Sequence, residues 1–181
     1  MRPQRTLLFL LTALSLPFHS WAAEAITPSD IEAAQQSWGE AIVAIGEAYE
    51  SGGDYRALAQ ESIETLYAYD LGPVLFNPTK ASEEPFRPTV KSALSYFVTG
   101  AIPEDKGFAL QPWSRVRFDD QSFFIQDDSA IAMGHYFFTD GRSGEETKVE
   151  FTLGYVRDAE GRLRIFLQHS SLPYVPEVRT P

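Results

Sequence analysis

Apolar positions recur every three or four residues in the first half of the chain and every second residue in the last third. The run TPSDIEAAQQSWGEAIVAIGEAYESGGD has the first period. Ile31, Gln35, Trp38, Ile42, Ile45 and Tyr49 share one helical face, with one polar member. Ser29 or Asp30 supplies an N-cap, acidic residues follow in the first turn, and Gly52-Gly53 ends the helix. DYRALAQESIETLYAYD predicts a second, shorter helix capped by Asp54, with Leu58, Ile63, Leu66 and Tyr67 on its buried side. GPVLFNP then reads as a short strand. Pro78, Pro85 and Pro88 keep the following stretch irregular. TVKSALSYFVTG predicts a third helix ending at Gly100.

After Gly100 the period changes to two. FALQPWSRVRFDD, QSFFIQDD, SAIAMGHYFFTD, TKVEFTLGYVRD and RLRIFLQHSS are strand candidates. DDQ, DDS, DGRSGEE and DAEGR between them predict hairpin connections. Val149, Phe151, Leu153 and Tyr155 line one face of the penultimate strand. Helices followed by a run of antiparallel strands define an α+β domain, with a curved, cone-shaped sheet wrapped around the N-terminal helices. Such a sheet can enclose a pocket between the two layers.

The final strand raises a chemical question. Leu163, Ile165 and Leu167 alternate with polar residues, and continuing the alternation puts His169 and Ser171 on the same, inward face. A buried imidazole or hydroxyl needs a partner, or costs about 1–3 kcal/mol. These two side chains either hydrogen-bond within the core or line a wet pocket. They do not form a hydrolase signature: there is no G-x-S-x-G elbow and no assignable acid to orient the histidine.

Composition narrows the choice. Fifteen basic residues face 25 acidic ones, a formal charge of −10. This argues against nucleic acid and anionic membranes as partners. Arg2, Arg5, the apolar run TLLFLLTALSL and small residues at Ser20 and Ala22 form a secretory leader pattern with cleavage after Ala22. Residues 1–22 are then a signal peptide, and 23–181 a single exported domain with the periplasm as the expected compartment. The apolar run is short for a membrane helix, which takes about 20 residues. There is no cysteine, so thiolate nucleophiles and cysteine metal ligands are excluded. Of three histidines, His19 leaves with the leader, so a three-histidine zinc site cannot be built within one mature chain.

A second group of polar residues lies in FNPTKASEEPFRPTVKSALSYFV: Thr79, Lys80 and Arg87 in the irregular stretch, and Tyr96 in an otherwise apolar helix segment. Taken alone, Tyr96 reads equally as a core aromatic with its hydroxyl satisfied at an edge.

LFNPTKAS and FRPTVKSALSYFVTG, followed at the C-terminus by HSSLPY, resemble the iota-class carbonic anhydrases. These share the nuclear-transport-factor-two-like fold, related to the association domain of calcium/calmodulin-dependent kinase II. The resemblance runs from Ile31 to Tyr174. The family's terminal motif is His-His-Ser-Ser, where this chain has Gln168-His169-Ser170-Ser171. The resemblance implies reversible hydration of carbon dioxide in a pocket between sheet and helices. It implies that Thr79, Tyr96 and Ser171 bind bicarbonate and water, and that the protein is a homodimer through its sheet. Iota-class proteins are described both with manganese and without metal. Two histidines and no cysteine favour the metal-free form here, with a carboxylate-rich manganese or a zinc site as the alternative. Among side chains near the motif, His169 is the natural proton acceptor or relay. Two other readings fit the same fold. One is an isomerase or dehydratase, for which Glu150 is the candidate base. The other is a non-catalytic binding or assembly domain, favoured if Phe123, Phe124, Phe137 and Phe138 fill the pocket.

Overall fold

The computed structural model describes residues 25–176. The expected leader, residues 1–22, lies outside the described residues.

Three α-helices precede most of a five-stranded sheet. Helix α1 spans Pro28–Glu50, α2 Tyr55–Leu66 and α3 Val90–Val98. Strand β1 is Leu75–Asn77, β2 Trp113–Gln126, β3 Ser129–Asp140, β4 Glu146–Arg157 and β5 Leu163–Ser171. The sheet order is β1-β5-β4-β3-β2. It is antiparallel except at β1, which runs parallel to β5. The α+β expectation stands, with one parallel edge. None of the described helices is long and apolar enough to cross a membrane.

The helix caps follow from short polar side chains. Thr27, not Ser29 or Asp30, is the N-cap of α1. Its hydroxyl accepts from the Asp30 amide, and the Asp30 carboxylate accepts from the Thr27 amide. Pro28 at the first helical position loses no hydrogen bond. The same reciprocal arrangement joins Thr89 and Ser92 at α3, and Asp54 caps α2 as expected. Helix α1 buries Ile31, Gln35, Trp38, Ile42 and Ile45 against the sheet, whereas Tyr49 is exposed. Gly39 permits this approach: a Cβ there would lie 3.0 Å from Val116 on β2.

Two irregularities shape the sheet. The segments expected as separate strands around DDQ form one continuous β2, and DDQ is a bulge rather than a hairpin turn. Asp119 pairs with His135 and Ser122 with Met133, so Asp120 and Gln121 together oppose Gly134. Asp120 takes a left-handed φ of 48° there. Gly134 is required opposite it, because a Cβ would come within 2.8 Å of Gln121. The second bulge is in β5. Tyr155 pairs with Ile165 and Gly154 with Leu167, leaving Phe166 without a partner. The Phe166 ring occupies the space that a Gly154 side chain would need.

That second bulge overturns the alternation expected for the last strand. An extra residue reverses the facing of everything beyond it. Ile165 points inward, but Leu167, His169 and Ser171 do not. Gln168 and Ser170 do, at 2% and 5% exposure, while His169 is exposed.

Candidate active site

The inward side chains of β5 meet an aromatic core supplied by every layer. Trp38 comes from α1, Tyr67 from the C-terminus of α2, Phe76 from β1, Tyr96 from α3 and Tyr136 from β3. The Trp38 and Tyr136 rings stack at 5.7 Å with planes 7° apart. Tyr96 stacks on Phe108 at 5.5 Å and meets the Phe76 ring edge-on at 5.8 Å. Between them is a narrow cavity. Thr79, Tyr96, Tyr136, Gln168 and Ser170 give it polar walls, and Phe76, Phe97 and Phe108 give it apolar ones. Its free volume of about 10 Å³ is room for about one water.

A hydrogen-bond chain runs behind this cavity from Trp38 to Gln168, and a second bond joins Tyr136 to Ser170. The Trp38 indole N–H donates to the Tyr67 hydroxyl at 2.9 Å. Tyr67 donates in turn to Gln168 Oε1. The Tyr136 and Ser170 hydroxyls bond each other, and the Gln168 and Thr79 side chains lie beside the Tyr136 hydroxyl. The Tyr96 hydroxyl meets the backbone of Lys80. The loop after β1 therefore contributes both the Thr79 side chain and a backbone group.

Burial sets the protonation of these phenols. Desolvation raises Tyr136 to about 12, opposed by its bond to Ser170 and by the neighbouring Gln168 and Thr79 side chains. Desolvation likewise raises Tyr96 and Tyr67 above the ordinary phenol value. All three are neutral hydroxyls near neutral pH. They can donate hydrogen bonds, and they are poor bases.

The loop is tied down by acids from the segment after α3. The Glu104 carboxylate accepts from the amides of Ser82, Glu83 and Glu84 at 2.8–3.0 Å, and from the Ser82 hydroxyl. These bonds, led by the Glu84 amide, hold its pKa down at about 2. Arg87 and Asp105 form a fully buried ion pair at 2.7 Å. The Arg87 guanidinium lies 5.9 Å from the centre of the Tyr96 ring.

Of the residues expected from sequence, Thr79 and Tyr96 line this cavity. Ser171 and His169 do not reach it. They lie on the opposite face of the sheet, in an open groove of about 510 Å³ with Asp120, His135, Glu150 and Thr152. Ser171 Oγ is 3.4 Å from the Glu150 carboxylate there. Glu150 thus faces away from the cavity too. Sequence reasoning missed Ser170, Gln168, Tyr136 and Trp38 as lining residues, and Tyr67 behind them. No sequence signal pointed to Gln168 and Ser170, since unbroken alternation along the last strand puts both on the outer face. Of the four phenylalanines considered as pocket fillers, Phe138 is core and Phe124 is 65% exposed. None of the four lines the cavity. Among the described residues no three of His, Cys, Asp or Glu gather as metal ligands.

Residues 29–172 match the family model described as metal-independent carbonic anhydrase. A curated relative of that description from Nostoc sp. is 46% identical over 155 residues, 83% of this chain and 75% of its own. A crystal structure of a cyanobacterial iota-carbonic anhydrase in complex with bicarbonate superposes with a TM-score of 0.82. It is 43% identical, across 90% of this chain and all of that one. An NTF2-like protein of unknown function from Pseudomonas putida, 15% identical, superposes at 0.53 over 84% of this chain and 90% of its own, and shares the fold alone. The chain belongs to the metal-independent carbonic anhydrases, of the iota class. Its chemistry is reversible carbon dioxide hydration, and the family needs no metal for it.

Proposed function

We propose that carbon dioxide is hydrated in the inner cavity, by the hydroxyls of Thr79, Tyr96 and Ser170, with Tyr136 and the Gln168 amide holding them in place. The observation that carries this reading is the lining itself. Neutral hydroxyl donors face apolar rings across a space of molecular size, and no carboxylate, imidazole or amine side chain lines it. The apolar wall suits carbon dioxide, and the hydroxyls suit bicarbonate.

In the forward direction a water oxygen bonds to the carbon. One carbon–oxygen electron pair moves onto oxygen, and the water loses a proton. The developing negative charge meets fixed donors in a dry site, where each is worth most. The cavity holds no side chain that titrates near neutrality, so the proton passes to hydroxide or a buffer base at the mouth. The cavity is smaller than bicarbonate. The loop carrying Thr79 and Lys80 therefore gives way as substrate enters.

Stopped-flow carbon dioxide hydration by the mature protein tests this, before and after exhaustive chelation, with metal content measured on the same sample. Activity that survives chelation and is lost in Ser170→Ala supports the hydroxyl cavity. Activity that chelator removes and manganese or zinc restores would sink it.

The protein is also proposed to be exported to the periplasm after cleavage following Ala22, and to form a homodimer through the outer face of its sheet. The leader pattern supports the first. Exposed Phe124, Ile131 and Met133 on that face support the second. N-terminal sequencing of protein from a periplasmic fraction tests export.

A further inference from the structure

The hydrogen-bond chain behind the cavity has a direction. An indole N–H can only donate, so the Tyr67 oxygen accepts from Trp38 and its own proton must go elsewhere. It goes to Gln168 Oε1. An amide has its acceptor on one side and its donors on the other, which leaves the Gln168 NH₂ for Tyr136. The Tyr136 oxygen is then an acceptor, and its proton turns to the Ser170 hydroxyl, its hydrogen-bond partner. A hydroxyl that accepts from Tyr136 has its own proton free for the cavity.

We infer that Trp38, Tyr67 and Gln168 are positioning residues: a one-way relay of hydrogen-bond polarity, begun by the donor-only indole, that presents hydroxyl protons to an oxyanion in the cavity. The inference rests on the cavity being the site of hydration. Tyr67 lies behind the cavity lining, and Trp38, whose ring is part of the wall, acts in the relay through its indole N–H. Glutamine suits the middle of the relay because it never changes protonation, so the polarity holds at any working pH. The ionisable groups packed around Gln168 are the phenols of Tyr67, Tyr136, Tyr96 and Tyr155. Beyond Tyr96 lies the Arg87–Asp105 pair.

Gln168→Glu tests it, because it changes polarity and little else in shape. An ionised carboxylate accepts from both Tyr67 and Tyr136, which turns the Tyr136 proton away from Ser170. A protonated carboxyl accepts on one oxygen and donates from the other, restoring the relay. Burial raises the pKa of such a carboxyl, so the change falls in an accessible range. The probe is nitrate, a planar oxyanion that stays ionised throughout. Its binding is followed by the Trp38 indole N–H signal of ¹⁵N-labelled protein.

The wild type should bind nitrate equally from about pH 5 to 8, since none of the phenols titrates there. The variant should bind at least ~10-fold more weakly at the upper end and recover as pH falls. A merely structural role would not give a loss that acid reverses. Level affinity in the variant, a loss that no pH restores, or a wild type on which saturating nitrate moves no signal would each overturn the inference. If Gln168→Glu does not fold, Tyr67→Phe replaces it. Removing the donor to Oε1 lets the amide turn over, and nitrate affinity should fall roughly 3–10-fold at every pH. Unchanged affinity overturns the relay. The two readings fail separately. Wild-type protein that binds nitrate with the expected variant response but hydrates no carbon dioxide removes the proposed site of hydration. Protein that is fully active when Gln168 is Glu removes the relay alone.

Discussion

At the scale of single residues, one strand carries a direct contrast between neighbours. Ser170 is buried beside Tyr136, and Ser171 lies on the far face beside Glu150. Losing one preorganised donor to a developing oxyanion typically lowers kcat by about 10²–10³-fold. Ser170→Ala and Tyr96→Phe should therefore each lower kcat for carbon dioxide hydration roughly 100-fold. Ser171→Ala should leave it within about twofold. Stopped-flow assays of the three variants separate the faces, and equal losses from both serines would contradict the cavity. His169→Ala belongs to the same comparison. The imidazole is exposed across the sheet from the cavity, so the pH–rate profile should not move.

At the scale of elements, the loop between β1 and α3 depends on acids that follow α3. Arg87 and Asp105 are both fully buried, so Arg87→Met would leave a carboxylate buried without its partner. Breaking such a pair from one side costs about 3–5 kcal/mol, readable by urea denaturation. Glu104 gives a pH prediction. Its folded pKa, about 2, lies below the ordinary glutamate value near 4.3. Its hold on the loop is thus complete above the unfolded value and lost as pH falls through the folded one. Hydrogen exchange at the Ser82, Glu83 and Glu84 amides, corrected for intrinsic rates, should be protected at about pH 5 and lose protection towards pH 2. This is also the scale at which the sequence could and could not be read. The three helices, the buried face of α1 from Ile31 to Ile45 and the Asp54 cap follow from period and composition. The two bulges do not, because each is set by a glycine on the neighbouring strand, Gly134 for β2 and Gly154 for β5, and strand pairing is not written in local alternation. Thr79 and Tyr96 were legible because they sit beside motifs, whereas Gln168 and Ser170 were hidden by a single unpaired Phe166.

At the scale of the whole molecule, the two faces of the sheet have different chemistry. The inner face carries the helices and the core. Among the described residues no helix covers the outer face, which exposes Phe124 at 65%, Met133 at 61% and Ile131 at 40%. The register makes these neighbours: Phe124 lies opposite Ile131, and Ser122 opposite Met133. Around them are His135, Glu150, His169 and Ser171, an apolar centre with a polar surround, which suits an interface better than open solvent. A second copy of the chain can cover this surface by a two-fold axis, burying Met133 and Phe124 of each protomer while leaving both inner cavities open. Met133→Asp together with Phe124→Asp should then shift the protein from dimer to monomer in sedimentation velocity. The Thr79, Tyr96 and Ser170 cavity lies across the sheet from the changed residues, so carbon dioxide hydration per chain should change by less than about threefold, a small fraction of the ~100-fold expected from losing a donor. A wild type that sediments as a monomer would refute the interface. A monomeric variant with abolished activity would show that pairing shapes the cavity through the shared sheet.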